Sequence, residues 1–130
     1  MLPPVFQALK ASSAVKAIVG TNPPRIYRHG RVPDGGGRPI VDPYITWFMV
    51  SGVPENNLSD PPPCDRTTVQ VDCWYPDRGG SADAGIELLA RAARDALEVI
   101  GVVTSGLLDD FETETKTYRM ALQVDIFINH

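Results

Sequence analysis

Cysteine and histidine are scarce in this sequence, which has two of each among its 130 residues. Cys64 and Cys73 are not spaced as a metal-binding pair, and a structural zinc site needs four ligands, so no metal site is expected. A disulfide between them would require Cys64, which follows three prolines, to fold back on its own strand. Both thiols are therefore expected to be free, as in a reducing cytosol.

Long apolar runs and an excess of positive charge are also lacking. No run approaches the roughly 18 apolar residues of a transmembrane helix. The first residues, 1–6, have neither the charged segment nor the apolar segment of a secretory signal. The net charge is -4 and the pI is about 5.0, which argues against a protein that grips nucleic acid through its phosphates.

Catalytic motifs are missing as well. The chain has no nucleophile elbow, no HExxH and no phosphate-binding loop, because the triple glycine at 35–37 is followed by Pro39, Pro43 and a strand instead of a helix. Asp72 and Asp125 could be neighbours on adjacent strands, and paired carboxylates can do acid–base chemistry. The simpler interpretation is two solvated acids. We therefore predict no catalytic residue, no cofactor and no enzymatic activity.

The clearest pattern that is present runs from Arg66 to Ile100. Residues 66–75 alternate between two faces, with Val69, Val71 and Cys73 on one of them, which is typical of a strand. Residues 82–100 then predict a long helix, because apolar residues recur every three or four positions. Ser81 is its expected N-cap. Gly101 is expected to end the helix in a left-handed conformation.

The rest of the chain predicts shorter elements around this core. Two N-terminal helices are expected at 3–11 and 14–19, the second capped by Ser12 or Ser13 and stopped by Gly20. Alternation predicts further strands at 25–29, 44–51, 102–112 (bent near Gly106) and 116–129, the last two forming a hairpin. Proline- and glycine-rich loops are expected at 30–43 and 52–63.

Together these elements predict one α+β domain over residues 1–130. The sheet should be antiparallel or mixed, with four or five strands, and the helices should pack on its apolar face. The other face should be polar with a few aromatic residues, since the strands place there Gln70, Asp72, Trp74, Arg119, Gln123 and Asp125. The strand at 44–51 is apolar on both faces, so a loop or another subunit is expected to cover its second face.

The chain resembles the tail terminators, small tail-completion proteins of long-tailed bacteriophages. The resemblance runs nearly end to end and rests on the order and spacing of several segments. These are VFQAL at 5–9, AVKAIVG at 14–20, RIY at 25–27, PYIT at 43–46, VSG at 50–52, VQVDCW at 69–74, the long helix, DDFE at 109–112 and YRMALQVDIF at 118–127.

The resemblance implies a structural virion protein that acts in the tail or neck and assembles in the host cytoplasm. Such proteins cap the head-proximal end of the tail tube as a ring, usually of six subunits, which ends tube polymerisation and offers a docking surface to the head connector. DNA passes through the ring without specific binding. Two alternatives stay open: another head–tail neck component, and a small enzyme or ligand-binding module with a concave pocket on the wet sheet face.

A ring needs two different patches that complement each other on each subunit. The candidate contacts with another subunit are Trp47 and Met49 on the doubly apolar strand, and Trp74 and Phe127 on the polar side of the sheet. The alternative is that these side chains pack under a loop of the same chain. Asp72 and Asp125 are candidate acids of the ring's lumen, where carboxylates would repel DNA. The two long loops are candidate docking surfaces for the tube and the connector.

Overall fold

The computed structural model describes residues 4–21, 24–28, 43–54, 64–76, 82–112 and 117–129. Within these ranges the helices are α1 (Val5–Ala11), α2 (Ser13–Val19) and α3 (Ala82–Leu97). The strands are β1 (Ile26–Arg28), β2 (Tyr44–Pro54), β3 (Cys64–Pro76), β4 (Val102–Glu112) and β5 (Thr117–Asn129). None of the described helices is long and apolar enough to span a membrane.

The five strands form one mixed sheet in the order β1-β2-β3-β5-β4. All neighbours are antiparallel except β1 and β2, which are parallel. The central strand β3 pairs on both sides, so that Val71 lies opposite Trp47 of β2 and Leu122 of β5. The predicted α+β class and the predicted terminal hairpin are confirmed. The bend expected near Gly106 coincides with register shifts in β4 on both sides of this residue.

The helices cover one face of the sheet, which we call the helical face. The alternation of the central strands is the cause, because every second side chain points towards α3. The buried core of this face takes its sheet residues from four strands: Ile26, Ile45, Trp47, Val69, Val71, Cys73, Leu122, Val124 and Ile126. The predicted stripe of α3 supplies Ile86, Leu89, Ala93 and Leu97 to the same core.

Helix α3 ends differently from the prediction. It stops at Leu97 instead of Ile100, and the backbone N–H groups of Ile100 and Gly101 both donate to the Leu97 carbonyl, at 3.0 Å. Gly101 is not left-handed, so that expectation was wrong. A Cβ at this position would lie 2.5 Å from the backbone oxygen of Asp125, so glycine is required by the close approach of the chain to β5.

The N-terminal helices form as predicted. The Ser12 hydroxyl accepts a hydrogen bond from the Val15 N–H at 3.2 Å and caps α2. Gly20 follows the helix with φ of 89°, which only glycine adopts without strain. Both short helices pack against α3, with Val5, Leu9, Val15 and Val19 fully buried.

One loop boundary was wrong, because β2 continues through Gly52 to Pro54 as the partner of β3. Of the two predicted loops, residues 30–42 and 55–63 lie outside the described residues, and so does the predicted Ser81 cap.

Candidate assembly surfaces

The face of the sheet opposite the helices, which we call the polar face, carries a row of neighbouring aromatic rings. The Tyr27 and Tyr44 ring centroids are 6.4 Å apart, and those of Tyr44 and Trp74 are 5.8 Å apart with their planes only 11° from parallel. The guanidinium carbon of Arg119 lies 5.0 Å from the Trp74 centroid on the neighbouring strand. Register creates this row, since Trp74 lies opposite both Tyr44 and Arg119.

Asp72 is the buried charge at the centre of the polar face. Its exposed fraction is 3%, and its carboxylate accepts hydrogen bonds from Arg119 Nη2 at 3.1 Å and from Gln70 Nε2 at 2.9 Å. The Arg119 side chain is more exposed, at 28%. A buried carboxylate is stable only when its charge is compensated and its oxygens are bonded, and these two partners supply both.

Two more hydrogen bonds tie the polar face together. The Trp74 indole N–H donates to the Thr46 hydroxyl at 3.0 Å, and Thr46 is 1% exposed. The Thr68 hydroxyl donates to Asp125 Oδ1 at 2.8 Å, and Asp125 is half-buried. Asp72 and Asp125 therefore each have their own partners within the described part of the chain, and neither is arranged as one half of a carboxylate pair.

The four candidate contact residues fall on opposite sides of the sheet and differ in exposure. Trp47 is 4% exposed on the helical face, where the Arg28 guanidinium lies 5.5 Å from its ring centroid. Met49, two residues further along β2, is 38% exposed. On the polar face, Trp74 is half-buried in the aromatic row and Phe127 is 50% exposed. The surface available to a partner is thus largest at Phe127 and Met49.

Four exposed apolar residues were not singled out from the sequence. They are Val50, Leu88, Val99 and Val102. Leu88 could have been found, because it falls on the charged outer side of the predicted helix. Val99 could also have been found, because in the predicted helix it falls on the same side as Leu88 and Asp95. It lies in the turn after α3, where it is 83% exposed.

Two surface grooves border α3. One, of about 320 Å³, lies between α1 and the end of α3 and is lined by Ala8, Ala11, Ser12, Asp95, Ala96, Val99 and Ile100. The other, of about 310 Å³, lies between α3 and β5 and is lined by Glu87, Ala90, Arg91, Arg94, Met120 and Leu122. The first is mostly apolar with one carboxylate at its rim.

The described residues give little support for a metal site or for a reactive cysteine. These residues contain no cluster of three or more side chains that could hold a metal ion. Cys73 is a free thiol, fully buried on the helical face. Burial, and to a smaller extent the negative charge of Asp72, raise the pKa of Cys73 to about 12, so the reactive thiolate is disfavoured.

Sequence comparison decides the family. The family described as tail completion protein gp17 matches residues 3–129, which is nearly the whole chain. The chain belongs to this family. It is therefore a tail-completion protein, a structural component of a phage-like virion that acts in the tail or neck. No curated protein matches the chain significantly in sequence.

The fold of this tail-completion protein also occurs in a solved particle. A chain from the structure titled "Virion of native gene transfer agent (GTA) particle" superposes with a TM-score of 0.67, over 97% of this chain and 92% of that one. The two sequences are 20% identical. The likeness shows that the two chains share one fold from end to end.

Proposed function

We propose that this protein caps the head-proximal end of the phage tail tube as a hexameric ring. The ring would end tube polymerisation and offer a docking surface to the head connector. The observation that carries the proposal is the family match over residues 3–129. Because it covers almost the entire chain, residues 1–130 are proposed to act as a single domain with this one task.

The solved neighbour supports an assembled state. It is a chain of a whole virion particle, and it is matched over most of its length, so the same fold serves there as one piece of a large assembly. Met49 and Phe127, at 38% and 50% exposure, are the candidate contacts that stay accessible on opposite faces of the sheet.

The two candidate lumen acids differ in the charge that they would present. Asp72 is buried and compensated by Arg119, so it would contribute little to the potential in a channel. Asp125 is half-buried and accepts a hydrogen bond from the neutral Thr68, and no ion pair within the described part of the chain cancels its negative charge. We propose that both acids face the channel and that Asp125 supplies most of the repulsion of passing DNA.

The ring can be tested by mass and by tube binding. Light scattering over a concentration series should show a species of about six chains, or the chain should assemble when tail tubes without an end cap are added. Electron microscopy should show an open ring at one end of each tube, and further tube subunits should no longer add. Failure to bind tubes in any state would overturn the proposal. Binding to head connectors alone would assign the chain to another neck component.

The lumen assignment has its own test. Asp125→Lys replaces repulsion by attraction, so virions carrying it should deliver DNA more slowly or less completely, while Asp125→Asn should have a smaller effect. Particle number and tail length should stay unchanged. Normal delivery by the lysine variant would contradict a lumen role for Asp125.

A further inference from the structure

The two edges of the sheet come from distant parts of the chain. In the order β1-β2-β3-β5-β4, β1 forms one edge and β4 the other, so within the described residues each has a strand on one side only. Helix α1 packs against β1, and helix α2 packs against β2. The described residues before β2 therefore lie on one side of the domain, which we call the β1 side, and β4 with β5 forms the opposite β4 side. The backbone groups of an edge strand can pair with another chain.

The two sides differ in the sign of their net charge. Residues 1–42, which precede β2, contain six basic and two acidic residues. Residues 102–129 contain five acidic and two basic residues, and one of these two, Arg119, is already paired with Asp72. Both net charges keep their sign whatever ion pairs form within each side. The β1 side of one copy is therefore attracted to the β4 side of another, whereas like sides repel each other.

Arg28 places a positive charge on the β1 edge itself. It is half-buried, its guanidinium lies 5.5 Å from the Trp47 ring centroid, and within the described residues its buried Nε has no hydrogen-bond partner. Lys10 of α1 is exposed and lies 5.8 Å from the Phe6 ring centroid. Neither cation forms an ion pair in the described part of the chain. A carboxylate of a neighbouring chain can therefore compensate their charge.

The proposed channel determines which surfaces can meet. With Asp125 and the polar face towards the channel, the helices face outward and the two edges of the sheet point towards the neighbouring subunits. Strands lie about 4.8 Å apart, so a five-stranded sheet is about 24 Å wide, and six sheets placed edge to edge enclose a circle about 45 Å across. Such a circle leaves room for a DNA duplex and for inward side chains. A contact between two different edges is heterologous, and such contacts produce rings when the rotation closes.

We propose that the β1 edge of each subunit docks against the β4 edge of the next copy around the ring. Arg28 and Lys10 then meet the negative charge of β4, and the sheet continues from one subunit into the next. This assignment rests on the ring of the proposed function and names the two surfaces that close it.

Carbodiimide cross-linking tests the contact directly, because this reagent joins a lysine amine to a carboxylate that is already beside it. The chain has three lysines, and Lys116→Arg leaves Lys10 and Lys16 without changing the charge. In assembled Lys116→Arg protein, mass spectrometry should find one of these lysines joined to a carboxylate of β4. The link cannot form within one chain, since α1 packs against β1 and β4 is the other edge of the sheet. Mixed isotope-labelled and unlabelled copies should therefore give links between a labelled and an unlabelled peptide.

Charge reversal provides an independent test. Lys10→Glu, and separately Asp109→Lys combined with Asp110→Lys, should each raise the protein concentration needed for assembly about fivefold, the effect of losing an ion pair worth about 1 kcal/mol. An equimolar mixture of the two variants should recover, because alternating subunits then meet opposite charges at every contact. Arg91→Glu makes the same change of charge at an exposed position of α3, which covers the middle strands β3 and β5, and should have little effect.

Arg28 is tested by removing its charge and keeping its stem. Arg28→Met leaves an unbranched side chain beside Trp47 and should weaken assembly, whereas Arg28→Lys keeps the positive charge and should assemble nearly as well as the unmodified chain. Urea unfolding of the unassembled proteins shows whether the two variants are equally stable. A loss of stability in Arg28→Met without any change in assembly would contradict a role for Arg28 at the edge.

The outcomes separate this inference from the function on which it rests. All experiments are run with and without tail tubes that lack an end cap, so that a ring templated by the tube is also seen. Rings without links from Lys10 or Lys16 to β4, or charge reversals that do not rescue each other, would overturn the edge contact and leave the ring standing. Absence of any assembly or tube binding in the unmodified chain would overturn the proposed function, and the edge contact with it.

Discussion

The two faces of the sheet are stabilised in different ways. On the helical face, Val69, Val71 and Cys73 are fully buried under α3 by apolar packing. On the polar face, Thr46 and Asp72 are buried to nearly the same extent, and each is held by directional bonds to particular partners. Packing tolerates many apolar side chains of the right volume. A buried polar network requires its own partners in place.

The largest effect is expected where α3 covers the helical face. Leu89 is fully buried, so Leu89→Ala should lower the free energy of unfolding by about 2–5 kcal/mol, through lost burial and the cavity left behind. Leu88 precedes it on the same helix and is 57% exposed, so Leu88→Ala should cost less than about 0.5 kcal/mol. Urea unfolding of both variants measures the contrast. Equal losses would contradict the position of the helix on the sheet.

The helical face could be predicted from the sequence, whereas the bonds of the polar face could not. Alternation at 66–75 and the three-to-four spacing of 82–100 predicted the central strand, the long helix and the helical face, because both periods are local properties of the chain. The parallel pairing of β1 with β2 and the register of β3 with β5 are not local. The Asp72–Arg119 ion pair and the stacking of Trp74 on Tyr44 depend on that register. Asp72, Trp74 and Arg119 were placed on the polar face correctly, but their partners could not be assigned.

A second prediction concerns the thiol on the helical face. The pKa of Cys73 is raised from 9.0 to about 12, so above pH 9 the unfolded chain loses this proton while the folded chain keeps it. Stability should therefore fall as pH rises from 9 towards 12, by up to about 1.4 kcal/mol per pH unit from this group. Cys73→Ala should have a lower free energy of unfolding at pH 7. It should lack, however, the loss of stability that Cys73 contributes above pH 9. Urea unfolding from pH 8 to 11 compares the two.

The prediction for Cys73 would be contradicted if the free energy of unfolding changed with pH equally in the unmodified chain and in Cys73→Ala. Rapid alkylation of Cys73 in the folded chain at pH 8 would also contradict its burial, whereas alkylation should become fast once the protein is unfolded.

The third prediction concerns the ion pair between Asp72 and Arg119 on the polar face. Arg119→Met keeps an unbranched stem beside Trp74 but leaves the Asp72 carboxylate buried without its counter-ion, which should cost about 1–3 kcal/mol. Asp72→Asn should cost less, because Arg119 is 28% exposed and can be solvated. Combining the two should be less damaging than Arg119→Met alone, since no buried charge is then uncompensated. A simple sum of the two losses would show that the pair is not coupled.

The smallest effect is expected from one hydrogen bond, and it distinguishes internal packing from subunit contact at Trp74. Trp74→Phe keeps a ring between Tyr44 and Arg119 but removes the indole N–H that donates to Thr46, so it should cost about 1 kcal/mol. Thr46→Val removes the acceptor, and in a double-mutant cycle the two losses should not add. If Trp74 acts only within its own chain, Trp74→Phe lowers stability and leaves the assembly concentration unchanged, whereas Phe127→Ala does the reverse. A shift of assembly in both variants would extend the subunit contact across the polar face to Trp74.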